Sequence, residues 1–186
     1  VRMADRILHR LLTRIFDGVE VHNAEYLDQL PPACEIVYVP CHRSHVDYLL
    51  LSYVIYRRGY AVPYVAAGIN LNLPVIGRVL RMGGAFFIRR SFRGNNLYPI
   101  VFMKYVDVMM NRGHPMEFFI EGSRSRTGRL LQPRTGLLGM TVRSFLRDTR
   151  RPVAYVPAYF GYERLLEGET YIDELSGRPK QKETVG

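Results

Sequence analysis

The chain has 186 residues, 47% of them apolar and 23% charged, which suffices for one domain whose core needs no disulfide or structural metal. The composition excludes collagen, an acidic disordered tail and, with only two cysteines, a disulfide-dense secreted module. The net charge of +9 indicates an anionic partner. We expect a reducing compartment, and we expect the chain, which begins without Met and ends abruptly, to be a segment of a longer protein.

The first sixteen residues predict a basic amphipathic helix. Apolar side chains such as Leu8 and Leu12 share one face, and four arginines form a stripe on the opposite face. Such a helix can lie on anionic lipid or pack its apolar face on the domain, and the sequence leaves both alternatives open. The longest apolar stretch, near residues 48–56, is about half of the ~20 residues that a membrane-spanning helix requires.

Segments of strand and helix character alternate after this first helix. The alternation predicts an α/β domain in which a central, mostly parallel sheet is flanked by helices. In such sheets, ligands bind beyond the carboxyl ends of the strands. The predicted strands are 18–22, 35–40, 63–67, 85–88, 116–120 and 152–157, and the predicted helices are 45–58, 74–82, 97–112 and 136–146.

The positive charge is concentrated in the middle of the chain. Residues 48–147 contain 15 basic and 3 acidic residues, whereas the rest of the chain contains 11 basic and 14 acidic ones. This imbalance predicts an anion-binding region. Nucleic acid, a phosphorylated metabolite, coenzyme A, an acidic carrier protein and anionic lipid all fit it.

A histidine and an aspartate follow the strand 35–40. If the loop folds back, the Asp47 carboxylate accepts the Nδ1–H of His42 and leaves Nε2 as a general base. Two other interpretations stay open: Asp47 capping the next helix, and a metal site formed with His45. Cys41 and His42 are adjacent at a strand end and point apart, which argues against a Cys–His nucleophile pair.

Three further clusters also follow predicted strands. The strand 85–88 ends in two arginines, and an arginine such as Arg90 is suited to clamp a phosphate. Glu121 opens a Gly/Ser/Arg loop, 122–129, whose N–H and guanidinium groups can surround a phosphate, although its glycine spacing is not that of a nucleotide P-loop. Glu121 either binds a substrate hydroxyl or holds the arginines in place. The block 156–163 can line the same pocket.

In this order, the four blocks resemble the glycerolipid acyltransferase superfamily and, within it, the bacterial membrane-bound glycerol-3-phosphate acyltransferases. The resemblance covers about residues 36–165. Relatives that acylate lysophosphatidic acid usually carry Asn before the motif histidine, so Cys41 and the long basic loop argue against that subfamily. The family pattern begins with His-x4-Asp, which here falls on His42 and Asp47, and continues with Gly-x-x-Phe-Ile-x-Arg, which falls on 84–90. Its third motif, Phe-x-Glu-Gly-x-Arg-Ser, falls on 119–125, and its fourth, Val-Pro, falls on Val156 and Pro157.

The resemblance implies an acyltransferase catalytic domain over residues 31–165. A helix and linker, 1–30, precede it, and a polar C-terminal extension of a truncated chain, 166–186, follows it. The implied reaction moves a fatty acyl group from acyl-CoA or acyl carrier protein to the sn-1 hydroxyl of glycerol 3-phosphate. Its product is lysophosphatidic acid, in the first step of phospholipid synthesis.

The resemblance also implies roles for individual residues. His42 is the general base and Asp47 orients it, with no metal or redox cofactor and no protein nucleophile. Membrane lipid is an implied partner, and the implied location is the cytoplasmic face of the bacterial inner membrane. The residues implied to bind glycerol 3-phosphate are Arg90, Glu121, Gly122, Ser123, Arg124 and Pro157.

Alternatives remain beside this interpretation. A dihydroxyacetone-phosphate acyltransferase shares much of the pattern. A nucleic-acid-binding module would explain the positive charge, but its aromatic residues lie inside apolar strands such as 85–88, which is not typical of a base-stacking face, so no nucleic-acid partner is expected. A metal-dependent hydrolase using the two histidines and a non-catalytic lipid-binding core are further possibilities.

Overall fold

The computed structural model describes residues 2–89, 91–92 and 94–176. Within these residues, five strands form one parallel sheet in the order β3-β2-β4-β1-β5. The strands are β1 (Glu35–Pro40), β2 (Tyr64–Gly68), β3 (Ala85–Ile88), β4 (Met116–Glu117) and β5 (Val153–Ala158). The α helices are α1 (Arg2–Ile15), α2 (Asp47–Arg57), α3 (Ile76–Met82), α4 (Leu97–Asn111), α5 (Gly136–Arg147) and α6 (Gly168–Leu175), and short 3-10 helices span Ala24–Gln29 and Ile69–Leu71.

The sheet is covered by helices on both faces, as the predicted α/β architecture requires. Strand β1 lies between β4 and β5, where its β-branched and aromatic residues suit a strand that is buried on both sides. On one face, Met116 packs in a cluster with apolar residues of α4. On the other face, Tyr38 packs with Leu51 and Ile55 of α2. These two clusters fix the helices, and with them the loops at the ends of the strands.

Two predicted strands differ from the observed ones. Residues 18–22 form no strand, because they are exposed between α1 and the first 3-10 helix and pair with no neighbouring strand. The strand predicted over 116–120 ends at Glu117. The amide of Phe118 still donates to the Tyr38 carbonyl at 3.2 Å, but the chain then turns away from the sheet, with Gly122 N–H donating to the Phe119 carbonyl at 2.9 Å.

The first helix packs on the domain, which is one of the two alternatives that its amphipathic pattern left open. Leu12 on its apolar face is buried, and His9 Nδ1 lies 2.8 Å from the Tyr53 hydroxyl of α2. At its end, the ring of Phe16 lies 5.8 Å from the ring of Tyr162. Among the residues that the structure describes, no helix is both long enough and apolar enough to cross a bilayer.

Candidate active site

Three loops leave the sheet at the carboxyl ends of adjacent strands. The loop after β1 carries His42, the loop after β4 carries Glu121, and the loop after β5 carries Tyr162. Because parallel strands end at the same edge, these loops meet there. The structure therefore places three of the four predicted clusters at one edge of the sheet.

The loop after β1 folds back so that His42 and Asp47 meet. His42 Nδ1 lies 2.8 Å from Oδ2 of Asp47, whose side chain is 0% exposed. The same carboxylate accepts the amide N–H groups of Arg43 at 2.6 Å and Ser44 at 2.9 Å, and its Oδ1 accepts the Tyr162 hydroxyl at 2.6 Å. Asp47 begins α2, but its carboxylate binds the preceding loop and does not cap the helix. Four donors hold this carboxylate in one orientation.

The imidazole of His42 is held from a second side by an aromatic ring. The ring of Phe119 stacks on it with centroids 3.9 Å apart and an angle of 23° between the planes. The His42 side chain is 16% exposed, and no described residue makes a hydrogen bond to Nε2. With Nδ1 bonded to a carboxylate, Nε2 is the nitrogen placed to accept a proton from a bound hydroxyl.

Glu121 joins the loops rather than standing open to a ligand. Its carboxylate accepts the amide of His42 at 3.2 Å and the amide of Leu131 at 2.9 Å, and it lies 3.4 Å from Nη1 of Arg43. Both Glu121 and Arg43 are buried. Of the two interpretations that the sequence left open for Glu121, these contacts favour the one in which it holds an arginine and the loops in place.

The loop after Glu121 is bonded to the segment that carries the histidine. The amide of Ser125 donates to the His42 carbonyl at 2.8 Å. Gly122 has a φ of +67°, and a Cβ there would lie 2.7 Å from Cδ of Arg134, so this turn needs glycine. Ser123 is exposed at the tip of the turn. The structure therefore brings this loop to His42 through backbone contacts.

Arg124 lies between two residues that the sequence did not single out. Its Nη1 lies 3.3 Å from Oε1 of Glu167, and its guanidinium lies 5.7 Å from the centroid of the Tyr171 ring. Both partners belong to the C-terminal segment around α6, beyond the predicted boundary of the catalytic domain at residue 165. That boundary stays a prediction.

Arg90 and Pro157 are the two remaining predicted substrate-binding residues. Arg90 lies outside the described residues. Pro157 is exposed on the edge strand β5, where it is paired with Val39 of β1. Tyr162, which contacts Asp47, comes five residues later in the chain. A proline is tolerated at this place because an edge strand can lack one ladder hydrogen bond. The roles implied for Arg90 and Pro157 stay predictions.

The side chains of Tyr162 and Phe119, which support the pair of His42 and Asp47, were not among the predicted site residues. For Tyr162, the signal in the sequence was its place in the block 156–163, at the end of the last strand.

Cys41, next to the histidine, is buried, and burial raises the pKa of its thiol. Its Sγ accepts the Phe160 amide at 3.2 Å. In the described part of the chain, no three His, Cys, Asp or Glu side chains are grouped to hold a metal ion.

The chain is similar to known acyltransferases. Residues 18–160 match the profile of the protein family described as Acyltransferase. Proteins called glycerol-3-phosphate acyltransferase from Pseudomonas putida and Pseudomonas aeruginosa are 55% and 56% identical over 185 residues. Those matches cover 100% of this chain but 22% of each relative, so the chain spans about a fifth of their length.

A solved structure shares the fold. The crystal structure of the 1-acyl-sn-glycerophosphate (LPA) acyltransferase PlsC from Thermotoga maritima matches with a TM-score of 0.58, over 97% of this chain and 81% of that one. At 17% identity, this match bears on the fold alone. Since the family profile covers most of the chain, including the His42 and Glu121 loops, the chain belongs to the acyltransferase family.

Proposed function

We propose that the protein transfers a fatty acyl group from a thioester, either acyl-CoA or acyl carrier protein, to the sn-1 hydroxyl of glycerol 3-phosphate. The observation that carries the proposal is the 2.8 Å contact between His42 Nδ1 and the buried Asp47 carboxylate, which leaves Nε2 for the substrate. The name of the Pseudomonas relatives supports the choice of acceptor.

The geometry fits direct attack on the thioester without a covalent enzyme intermediate. Nε2 of His42 takes the proton of the acceptor hydroxyl as its oxygen attacks the thioester carbonyl, and Asp47 stabilises the imidazolium that forms. When the tetrahedral intermediate collapses, the C–S bond breaks and the imidazolium returns the proton to the thiolate. General-base catalysis of this kind contributes about 10²–10⁴-fold, and holding both substrates together contributes further.

The phosphate of the acceptor requires cationic and N–H donors near this base. Arg124 and the Gly/Ser/Arg loop that carries it supply them next to the His42 segment, and Ser123 is exposed at the same turn. We assign Arg124 to the phosphate, together with Arg90, which follows β3 by two residues in the sequence and is the arginine of the family pattern Gly-x-x-Phe-Ile-x-Arg. Glu121, whose oxygens are engaged by protein donors, acts by fixing the loops.

The experiment is an acyl-transfer assay on the full-length protein with palmitoyl-CoA and radiolabelled glycerol 3-phosphate, run in parallel with dihydroxyacetone phosphate. We expect labelled lysophosphatidic acid, and a higher kcat/KM for glycerol 3-phosphate than for dihydroxyacetone phosphate. The reverse order would assign the protein to the dihydroxyacetone-phosphate acyltransferases. No acyl transfer to either acceptor would contradict the proposal.

A matched pair of variants tests the general base. His42→Ala removes the base and should reduce turnover by at least the ~10²-fold that general-base catalysis contributes, with binding of glycerol 3-phosphate largely retained. His22→Ala removes an exposed histidine that contacts Glu20 and serves as the control. Normal turnover of His42→Ala would remove His42 from the mechanism.

We further propose membrane lipid as a partner, at the cytoplasmic face of a bacterial inner membrane. Val79 and Met82 of α3 and Val75, the residue just before it, are exposed at spacings of four and three residues, so they lie along one side of the helix. Arg78 and Arg81 are exposed beside them, and no acidic residue occurs between positions 48 and 106. An apolar side flanked by arginines is complementary to an anionic lipid surface.

Sedimentation with vesicles tests this surface. Full-length protein should sediment with vesicles containing anionic phosphatidylglycerol more than with neutral phosphatidylcholine, and Val79→Asp should weaken that binding. Leu146→Asp, at an exposed apolar residue of α5, is the matched control. Equal losses in both variants would mean that α3 is not the lipid-facing surface.

A further inference from the structure

Glu167 lies outside the motifs that carry the family resemblance, yet its carboxylate contacts two loops of the candidate active site. Oε1 accepts the amide of His45 at 2.8 Å, and Oε2 accepts the hydroxyl of Ser44 at 2.8 Å. Oε1 also lies 3.3 Å from Nη1 of Arg124. One carboxylate thus joins the loop between His42 and Asp47 to the loop that carries Arg124.

The segment that carries Glu167 is fixed in place by the next turn of chain. Tyr171 in α6 is 4% exposed, and its hydroxyl donates to the Arg43 carbonyl at 3.0 Å. Burial raises the pKa of Tyr171 to about 12, so it remains a neutral donor at physiological pH. Because the guanidinium of Arg124 contacts both this ring and the Glu167 carboxylate, the segment 167–171 constrains Arg124 at two points.

Arg124 and Glu167 are shielded from water, since each side chain is 15% exposed. In this environment, an ion pair restricts the arginine to few rotamers, whereas a solvated arginine samples many. A ligand that needs the guanidinium in one place then loses less conformational entropy on binding. The same carboxylate holds the backbone at His45, between the general base and its orienting aspartate.

We propose that Glu167 is a positioning residue for acyl transfer, which orients Arg124 toward the acceptor phosphate and fixes the loop between His42 and Asp47. This inference rests on the proposed function. It makes the segment 167–171 part of the site.

The test is a kinetic comparison of three variants of the full-length protein. Glu167→Ala removes every contact, Glu167→Gln keeps the shape but loses the charge, and Glu167→Asp keeps the charge on a shorter side chain. We expect Glu167→Ala to raise KM for glycerol 3-phosphate about tenfold, the effect of losing one hydrogen bond to a charged group, and Glu167→Gln to raise it less. Glu167→Asp should recover part of the loss. KM for the acyl donor should change by less than about threefold.

Two controls separate positioning from a general structural role. Glu169→Gln changes an exposed carboxylate in the first turn of α6 and should leave both KM values unchanged. The thermal midpoint of Glu167→Gln shows whether the fold is kept, and a selective effect on KM for the acceptor is not expected of a fold that is merely weakened.

Two outcomes would overturn the inference. An unchanged KM for glycerol 3-phosphate in Glu167→Ala would mean that the carboxylate does not prepare Arg124. A fall in that KM would mean that Glu167 occupies the place of the phosphate and competes with it. Both outcomes leave acyl transfer by the unmodified protein intact, so they are distinguishable from a failure of the proposed function.

Discussion

The hydroxyl of Tyr162 donates a hydrogen bond of 2.6 Å to Oδ1 of Asp47, the carboxylate whose other oxygen bonds His42. Burial, and then the hydrogen bond itself, raise the pKa of Tyr162, so the phenol stays protonated and can act only as a donor toward this carboxylate. A neutral donor on Oδ1 withdraws charge from the oxygen that faces the imidazole. The orientation and the charge distribution of the Asp47 carboxylate are therefore set partly from the loop after β5.

Tyr162→Phe should slow turnover. Without the phenolic donor, Asp47 loses one of the four contacts that orient it toward His42. We therefore expect kcat to fall about tenfold, while KM for the acceptor stays nearly constant. The measurement is steady-state kinetics of both proteins.

Tyr155→Phe is the control for this variant. Its hydroxyl bonds the Thr141 hydroxyl at 2.9 Å, on the side of α5, so the substitution removes one hydrogen bond far from the His42 loop. Equal kcat values for Tyr162→Phe, Tyr155→Phe and the unmodified protein would show that Tyr162 does not influence the base.

Glu121→Gln should destabilise the protein as well as slow it. The substitution leaves the guanidinium of Arg43, 3% exposed, without its buried counter-charge, and loss of one partner of a buried pair costs about 3–5 kcal/mol. The combination of Arg43→Gln with Glu121→Gln should cost less than the sum of the two single changes. Thermal unfolding of the single and double variants measures the losses of stability, and the acyl-transfer assay measures the fall in turnover. If Glu121 served mainly as a ligand for substrate, stability would hold and KM alone would rise.

Gly122→Ala should lower both stability and activity. At a φ of +67°, the new methyl group places an L-residue in the left-handed region, at a cost of about 1–2 kcal/mol, and it also meets Cδ of Arg134 at 2.7 Å. Gly128→Ala, in the same loop at a φ of +75° with no atom within 4 Å of the new Cβ, carries the backbone cost alone. A greater loss of thermal stability in Gly122→Ala than in Gly128→Ala is expected. Equal losses would mean that Arg134 moves aside freely.

Local sequence pattern predicted most of the sheet and the centre of the site. The β-branched segment 35–40 and the short strand 85–88 lie where they were predicted, and His42 and Asp47, five residues apart, needed only a loop that folds back. The supporting contacts were not predictable in this way. Tyr162 and Asp47 are 115 residues apart, and Glu167 and His45 are 122 residues apart. These pairs meet because the loops pack against one another, which no local sequence spacing predicts.

Glu117 is a buried carboxyl that the proposed mechanism does not use. It lies in β4, paired with Tyr38 of β1, and it is 0% exposed. Neither of its oxygens has a hydrogen-bond partner among the described residues. Burial, and then the negative charge of Asp47, raise its pKa well above the usual 4.5. The folded protein therefore holds this carboxyl in its neutral form over a pH range in which the unfolded chain has already released the proton.

Glu117→Gln should stabilise the protein increasingly as pH rises above about 4.5, the value at which the unfolded carboxyl titrates. From there up to the raised pKa of the folded state, the native protein binds more protons than the unfolded chain, so its free energy of unfolding falls with increasing pH. Glutamine has nearly the same shape and does not titrate, which removes this loss. The measurement is the thermal midpoint of both proteins at pH 4 and at pH 7. The two midpoints should be nearly equal at pH 4, and that of Glu117→Gln should be several degrees higher at pH 7.

Glu163→Gln, at an exposed position, is the control and should show no such pH-dependent difference. A Glu117→Gln protein that is no more stable than the unmodified one at pH 7 would mean that Glu117 is ionised in the folded state and balanced by a partner.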